Sequence, residues 1–81
     1  MSGKILVVDD DPVVRMTTRD FLSSKGYSVT VAAGGREALA MMETVDPDVV
    51  LLDVAMPDMD GMETLSRLVA ARPTLPVIMI T

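Results

Sequence analysis

Cysteine and histidine are both missing from this chain, and each absence removes a class of chemistry. Without cysteine there are no disulfides and no thiolate metal sites. Without histidine there are no imidazole ligands and no imidazole acid–base catalysis. Long apolar runs are missing too, and none approaches the roughly 20 residues that cross a bilayer. Met1-Ser2-Gly3-Lys4 leads into only Ile5-Leu6-Val7-Val8 before Asp9, too little apolar length for a secretory signal. Basic residues are scarce: 7 Lys and Arg stand against 12 Asp and Glu, giving a net charge of −5 with no basic cluster. That balance argues against nucleic acid as a direct partner. What is present is globular in composition, 49% hydrophobic and 23% charged. The 81 residues allow at most one small domain, burying roughly 60–65% of its unfolded surface. A cytoplasmic chain is the default expectation.

The apolar residues are regularly spaced. Lys4–Val8 is a short, β-branched-rich run and predicts a strand covered on both faces. Asp11-Pro12 then starts a helix, Asp11 accepting free backbone N–H groups and Pro12 taking the first helical position. This helix runs to about Lys25, with Val14, Thr17, Phe21 and Leu22 inward and Gly26 as its stop. Tyr27–Ala32 alternates and predicts a less buried strand. Gly34-Gly35 opens a second helix over Arg36–Val45, with Ala38, Leu39 and Met42 inward. Asp46-Pro47 is a turn, and Asp48–Asp53 predicts another strand buried on both faces. A loop, Val54–Asp60, precedes a third helix from about Gly61 to Ala71, with Met62, Leu65, Leu68 and Val69 inward. Pro73 to Pro76 breaks it, and Val77–Thr81 predicts a fourth strand. Strands alternating with helices of this length imply right-handed crossovers and a parallel sheet. There is no internal repeat, low-complexity stretch or linker.

In a doubly wound sheet, ligands sit at the carboxyl ends of the strands, where strand order reverses. The first strand here ends at Asp9-Asp10, the third at Asp53 and the fourth at Thr81. If the first and third strands are neighbours, Asp9, Asp10 and Asp53 converge. Two carboxylates about 4 Å apart repel by roughly 4 kcal/mol at an effective dielectric of 20. Such a cluster requires a raised pKa or a cation. An all-oxygen site with room for waters and a phosphate suits Mg²⁺ better than zinc or copper. Plainer roles account for several other residues. Asp11 is a helix cap, and Asp58 and Asp60 serve the turn beside Gly61. The methionines fill the core, and Arg15 and Arg36 are solvated helix positions. Asp9 and Asp10 can also be read as a solvated strand end, and Thr81 as an ordinary strand residue.

The stretches "KILVVDDDP", "VVLLDVAMPDMDGMETL" and "LPVIMIT" resemble the receiver domain of two-component response regulators, in the right order from Lys4 to Thr81. The resemblance implies a flavodoxin-like α/β fold, a doubly wound parallel sheet of order 2-1-3-4 in this chain. It implies that Asp53 accepts a phosphoryl group from a phosphohistidine on a histidine kinase or phosphotransfer protein. Asp10 and Asp53 would ligate Mg²⁺, with the backbone carbonyl of Ala55, while Asp9 holds the metal through water. Thr81 matches the hydroxyl residue that senses the phosphoryl group, and Met56-Pro57 and Gly61 match loop-shaping residues. Any enzymatic activity would be limited to self-phosphorylation and autodephosphorylation.

Receiver domains of this kind continue beyond the threonine with a helix, a fifth strand and a final helix. Residues 1–81 are therefore expected to form a single, incomplete receiver domain. The family's lysine at the end of the fifth strand falls in the part that is missing, as do its aromatic switch residue and its usual output surface. The fourth strand is then an apolar edge, and the chain is expected either to pair through it between two copies as a homodimer or to be the remnant of a longer chain. The first helix is expected to show an exposed apolar patch. Two other readings stand beside this one. One is a truncated scaffold acting as a non-catalytic dimerisation or interaction module. The other resembles the haloacid dehalogenase phosphohydrolases, with Asp9 as nucleophile and Asp11 as acid, although Pro12 ties Asp11 to a cap.

Overall fold

Among the described residues, three helices wrap four strands in the order β1 (Lys4–Val8), α1 (Pro12–Ser24), β2 (Ser28–Ala32), α2 (Gly35–Val45), β3 (Val49–Asp53), α3 (Gly61–Ala71) and β4 (Val77–Ile80). The structure, a computed structural model, describes residues 3–53 and 61–80. All strands are parallel and lie in the order β2-β1-β3-β4. The parallel sheet is what the alternation of strands and helices predicts, and this order is the flavodoxin-like one that the resemblance implies. The chain steps from β1 outward to β2, then crosses back to β3 on the other side of β1. Right-handed crossovers in opposite directions put α1 on one face and α2 with α3 on the other. The order thus reverses between β1 and β3, where their carboxyl ends leave a crevice.

The core sits mainly between the sheet and the α2–α3 layer. Leu6 and Val8 of β1, Ala32 of β2, and Val50 and Leu52 of β3 pack there with Ala38, Leu68 and Leu75. Strand alternation turns Ile5, Val7 and Leu51 toward α1. β1 is buried on both faces, as its composition predicts. β3 is not: Val50 and Leu52 are buried, whereas Val49 and Leu51 are half-buried. The reason is that α1 lies over β1 and β2 and leaves the β3–β4 side of its face open.

The helices follow local chemistry at their ends. Asp11 caps α1, its side chain accepting from Val13 N and Val14 N. Gly26 closes the turn after α1 at φ 95°, a conformation that favours glycine. Two inward faces differ from expectation. In α1 no residue is buried, Phe21 is 61% exposed, and Val14 and Thr17 are exposed. The stripe toward the sheet is Arg15, Thr18, Arg19 and Leu22, all half-buried. In α3 the buried positions are Gly61, Thr64 and Leu68, while Met62 is 63% exposed and Val69 is also exposed. The buried stripe thus includes small Gly61 and Thr64 beside Leu68 and does not follow hydrophobicity alone. In α2, Ala38 is buried, and Leu39, Met41 and Met42 pack against the core. No described helix is long and apolar enough to cross a membrane.

Candidate metal centre

The three consecutive aspartates after β1 have three different surroundings. Asp9 still follows the sheet, its N–H donating to the Ala32 carbonyl at 3.1 Å. It is only 5% exposed, so its carboxylate needs partners to offset lost hydration. One is local: Asp9 Oδ1 accepts the Asp11 N–H at 2.9 Å. Burial pushes the Asp9 carboxyl above its ordinary value, the Asp11 N–H pulls it down, and the charges of Asp53, Asp10 and Asp11 push it up again. The net direction is up. Asp10 is exposed at the corner. Asp11 turns to the helix, its Oδ1 accepting from Val13 N at 2.9 Å and Val14 N at 3.4 Å.

Asp53 arrives from β3. The register Val8↔Leu52 sets it one step beyond that pair, beside Asp9. By alternation both carboxylates stand on the α1 face of the sheet. One oxygen each from Asp9, Asp10 and Asp53 lies within 4.8 Å of the others. Ligands on one Mg²⁺, at Mg–O distances of about 2.0–2.1 Å, stand roughly 3–4 Å apart. The trio is therefore within a small side-chain adjustment of sharing such an ion. The donors are all hard oxygens and carry like charge, so the residues present fit a hard divalent cation. An open cleft of about 360 Å³ surrounds them, with Asp11, Val14 and Ile80 completing its walls. At about 30 Å³ per water, it has space for a hydrated ion and a tetrahedral anion together.

The β1–β3 register thus brings together Asp9, Asp10 and Asp53, while the Asp11 side chain caps α1. Ala55 and Thr81 lie outside the described residues, as do Met56, Pro57, Asp58 and Asp60. Arg15 differs from its expected solvated position. It is half-buried, and its Nη1 donates to the Asp9 backbone carbonyl at 2.8 Å. The signal lay in the helix phase: with Pro12 fixing the start of α1, residue 15 turns back toward the strand it follows.

The profile of the response regulator receiver domain matches residues 5–81. This chain belongs to that family. The receiver is 47% identical over 81 residues to the response regulator MprA of Mycolicibacterium vanbaalenii, covering 100% of this chain and 35% of that protein. It is 46% identical over 79 residues to protein-glutamate methylesterase/protein-glutamine glutaminase 3 of Rhodospirillum rubrum, covering 96% of this chain and 21% of that protein. The receiver therefore spans about a third of the first relative's length and about a fifth of the second's. Among solved structures, it superposes on a CheY-like receiver domain protein from Methanospirillum hungatei with a TM-score of 0.93 at 37% identity, covering 98% of this chain and 63% of that one. It also superposes on TrrA from Thermotoga maritima, solved in complex with Mg²⁺–BeF, with a TM-score of 0.90 at 32% identity, covering 95% and 67%. The receiver is thus a component of two-component signalling, as its motifs indicate.

Proposed function

We propose that this receiver accepts a phosphoryl group on Asp53 from the phosphohistidine of a histidine kinase or phosphotransfer protein in the cytoplasm. The reading rests on the convergence of three carboxylates from β1 and β3 into one open cleft. Asp9, Asp10 and Asp53, with the Ala55 carbonyl, would hold Mg²⁺. When bound, the ion supplies positive charge against the transferring phosphoryl oxygens. The work of the chain's own residues is placement. Asp53 presents a carboxylate oxygen for in-line attack on phosphorus. The new P–O bond forms as the P–N bond breaks, and the electron pair of that bond returns to the imidazole. Asp9, anchored by the Asp11 N–H, keeps its place while Asp10 faces solvent. Thr81 would offer its hydroxyl to the product acyl phosphate. The TrrA complex with Mg²⁺–BeF supports the choice of ion.

Incubation with acetyl phosphate and Mg²⁺, read by intact mass, tests this. The wild type should gain one phosphoryl group, and Asp53→Asn or a chelator should abolish the gain. Gain that persists in Asp53→Asn but disappears in Asp9→Asn would replace the reading with hydrolase-like chemistry. The capping bonds of Asp11 already count against that alternative, because they occupy the residue it needs as an acid.

A second reading concerns the sheet edge. β4 has one pairing neighbour among the described strands, and Ile78 on it is 52% exposed. Pairing of two β4 edges into a homodimer would cover these groups, with the receiver scaffold as an interaction module. Analytical ultracentrifugation across a concentration series tests it: a monomer throughout excludes the homodimer.

A further inference from the structure

Arg15 stands next to three aspartates and pairs with none of them. Among the described residues the ion pairs are Arg19–Asp20, Arg67–Glu63 and Arg72–Asp46. The Arg15 guanidinium instead donates to the backbone carbonyl of Asp9, at 2.8 Å and partly buried. An arginine that bridged the carboxylates directly would occupy oxygens an ion must use. Bound to the carbonyl, Arg15 itself takes up no carboxylate oxygen. It does not line the cleft, whose walls are Asp9, Asp10, Asp11, Val14, Asp53 and Ile80. It therefore acts from behind the site.

We infer that Arg15 is a positioning residue for the metal centre: from the first turn of α1 it clamps the Asp9 backbone, fixing the corner that carries Asp9 and Asp10. Three bonds then hold Asp9 from three directions. Its N–H reaches Ala32 on β2, its carboxylate takes the Asp11 N–H, and its carbonyl takes Arg15. The first two tie Asp9 to the sheet and to its own turn, whereas only the third ties it to the body of α1. A freed carbonyl would let the corner rock and spread the ligands, and ligand placement governs affinity for an ion as geometrically demanding as Mg²⁺.

The inference rests on the proposed Mg²⁺ site, and its test keeps the two apart. Isothermal titration of Mg²⁺ into wild type, Arg15→Met, Arg15→Lys and Arg67→Met is compared, with urea midpoints measured in parallel. Arg67→Met makes the same change in net charge on an exposed face of α3. The expected result is Mg²⁺ binding about tenfold weaker in Arg15→Met, largely restored in Arg15→Lys and unchanged in Arg67→Met. A lysine can supply the one hydrogen bond required. A purely electrostatic Arg15 would repel the ion, so equal or tighter binding in Arg15→Met overturns the inference while leaving the metal site standing. A lowered urea midpoint with unchanged affinity overturns it as well, by showing a role in folding alone. If Arg15→Met does not fold, Arg15→Gln, which keeps a donor with shorter reach, is titrated against the same expectations. No Mg²⁺ binding by the wild type would remove both the site and the inference.

Discussion

The two faces of the sheet are built differently. On one, α2 and α3 close over Leu6, Val8, Val50 and Leu52, which are fully buried. On the other, α1 leans on β1 and β2 and buries none of its own residues. The carboxylates of Asp9 and Asp53 stand on that less covered face, yet they follow directly after Val8 and Leu52 on the closed one. Alternation along a strand makes this division possible: one residue is locked in the core and the next is presented to a ligand. Rigidity comes from one side of the sheet and access from the other.

The largest test of this contrast is Leu52→Ala. Removing a fully buried side chain from the closed face should cost about 2–5 kcal/mol, enough to unfold a domain this small or nearly so. Leu51→Ala, one residue along on the open face, should cost roughly half as much, because its site is already partly solvated. Equal losses by urea denaturation would mean that the faces are equally packed. Next in size is Asp11→Ala, which removes the cap of α1 and should cost about 1 kcal/mol. The backbone N–H that Asp9 accepts survives this substitution, so Mg²⁺ binding should change little.

Asp9→Asn should change stability in the opposite direction and by less. The folded protein raises the Asp9 carboxyl above its ordinary value of 3.8. A raised carboxyl favours the fold in its protonated form. That contribution is complete below the ordinary value and is lost as pH rises through the raised one. Ionised Asp9 therefore destabilises the metal-free protein at neutral pH. In a chelator, Asp9→Asn should unfold at higher urea than wild type at pH 7, with the difference vanishing in acid. With Mg²⁺ present the order should reverse. The smallest effect is expected at Val13, which is 72% exposed. Val13→Ser should change stability by no more than about 0.5 kcal/mol, and a larger loss would show that something covers α1 in solution.

The contrast between faces also explains what could be read from the sequence. The parallel alternation and the Asp11 cap follow from short apolar runs and Pro12, whereas the strand order, on which the meeting of Asp9, Asp10 and Asp53 depends, follows from the resemblance to receiver domains. Burial on the closed face was equally legible, because Ala38 and Leu68 recur at helical spacing opposite β-branched strands. The helix faces were less so. Hydrophobicity alone singles out Phe21, Met62 and Val69, but what each helix buries depends on where it sits over the sheet. α1 presents Arg15 and Leu22 to β1 and β2, and α3 buries small Thr64. Arg15 reads from the sequence as a solvated helix position because a charged side chain bound to a carbonyl leaves no charge pattern there.

The register of β3 against β1, Val8 beside Leu52, carries a last consequence. Sliding β3 by one residue would swing Asp53 to the far side of the sheet and bring an apolar side chain to the cleft. The trio of Asp9, Asp10 and Asp53 meets in one alignment of the two strands and in no neighbouring one. Affinity at the proposed Mg²⁺ site would therefore gauge correct strand threading, separating a properly assembled chain from a compact but slipped one of the same helical content.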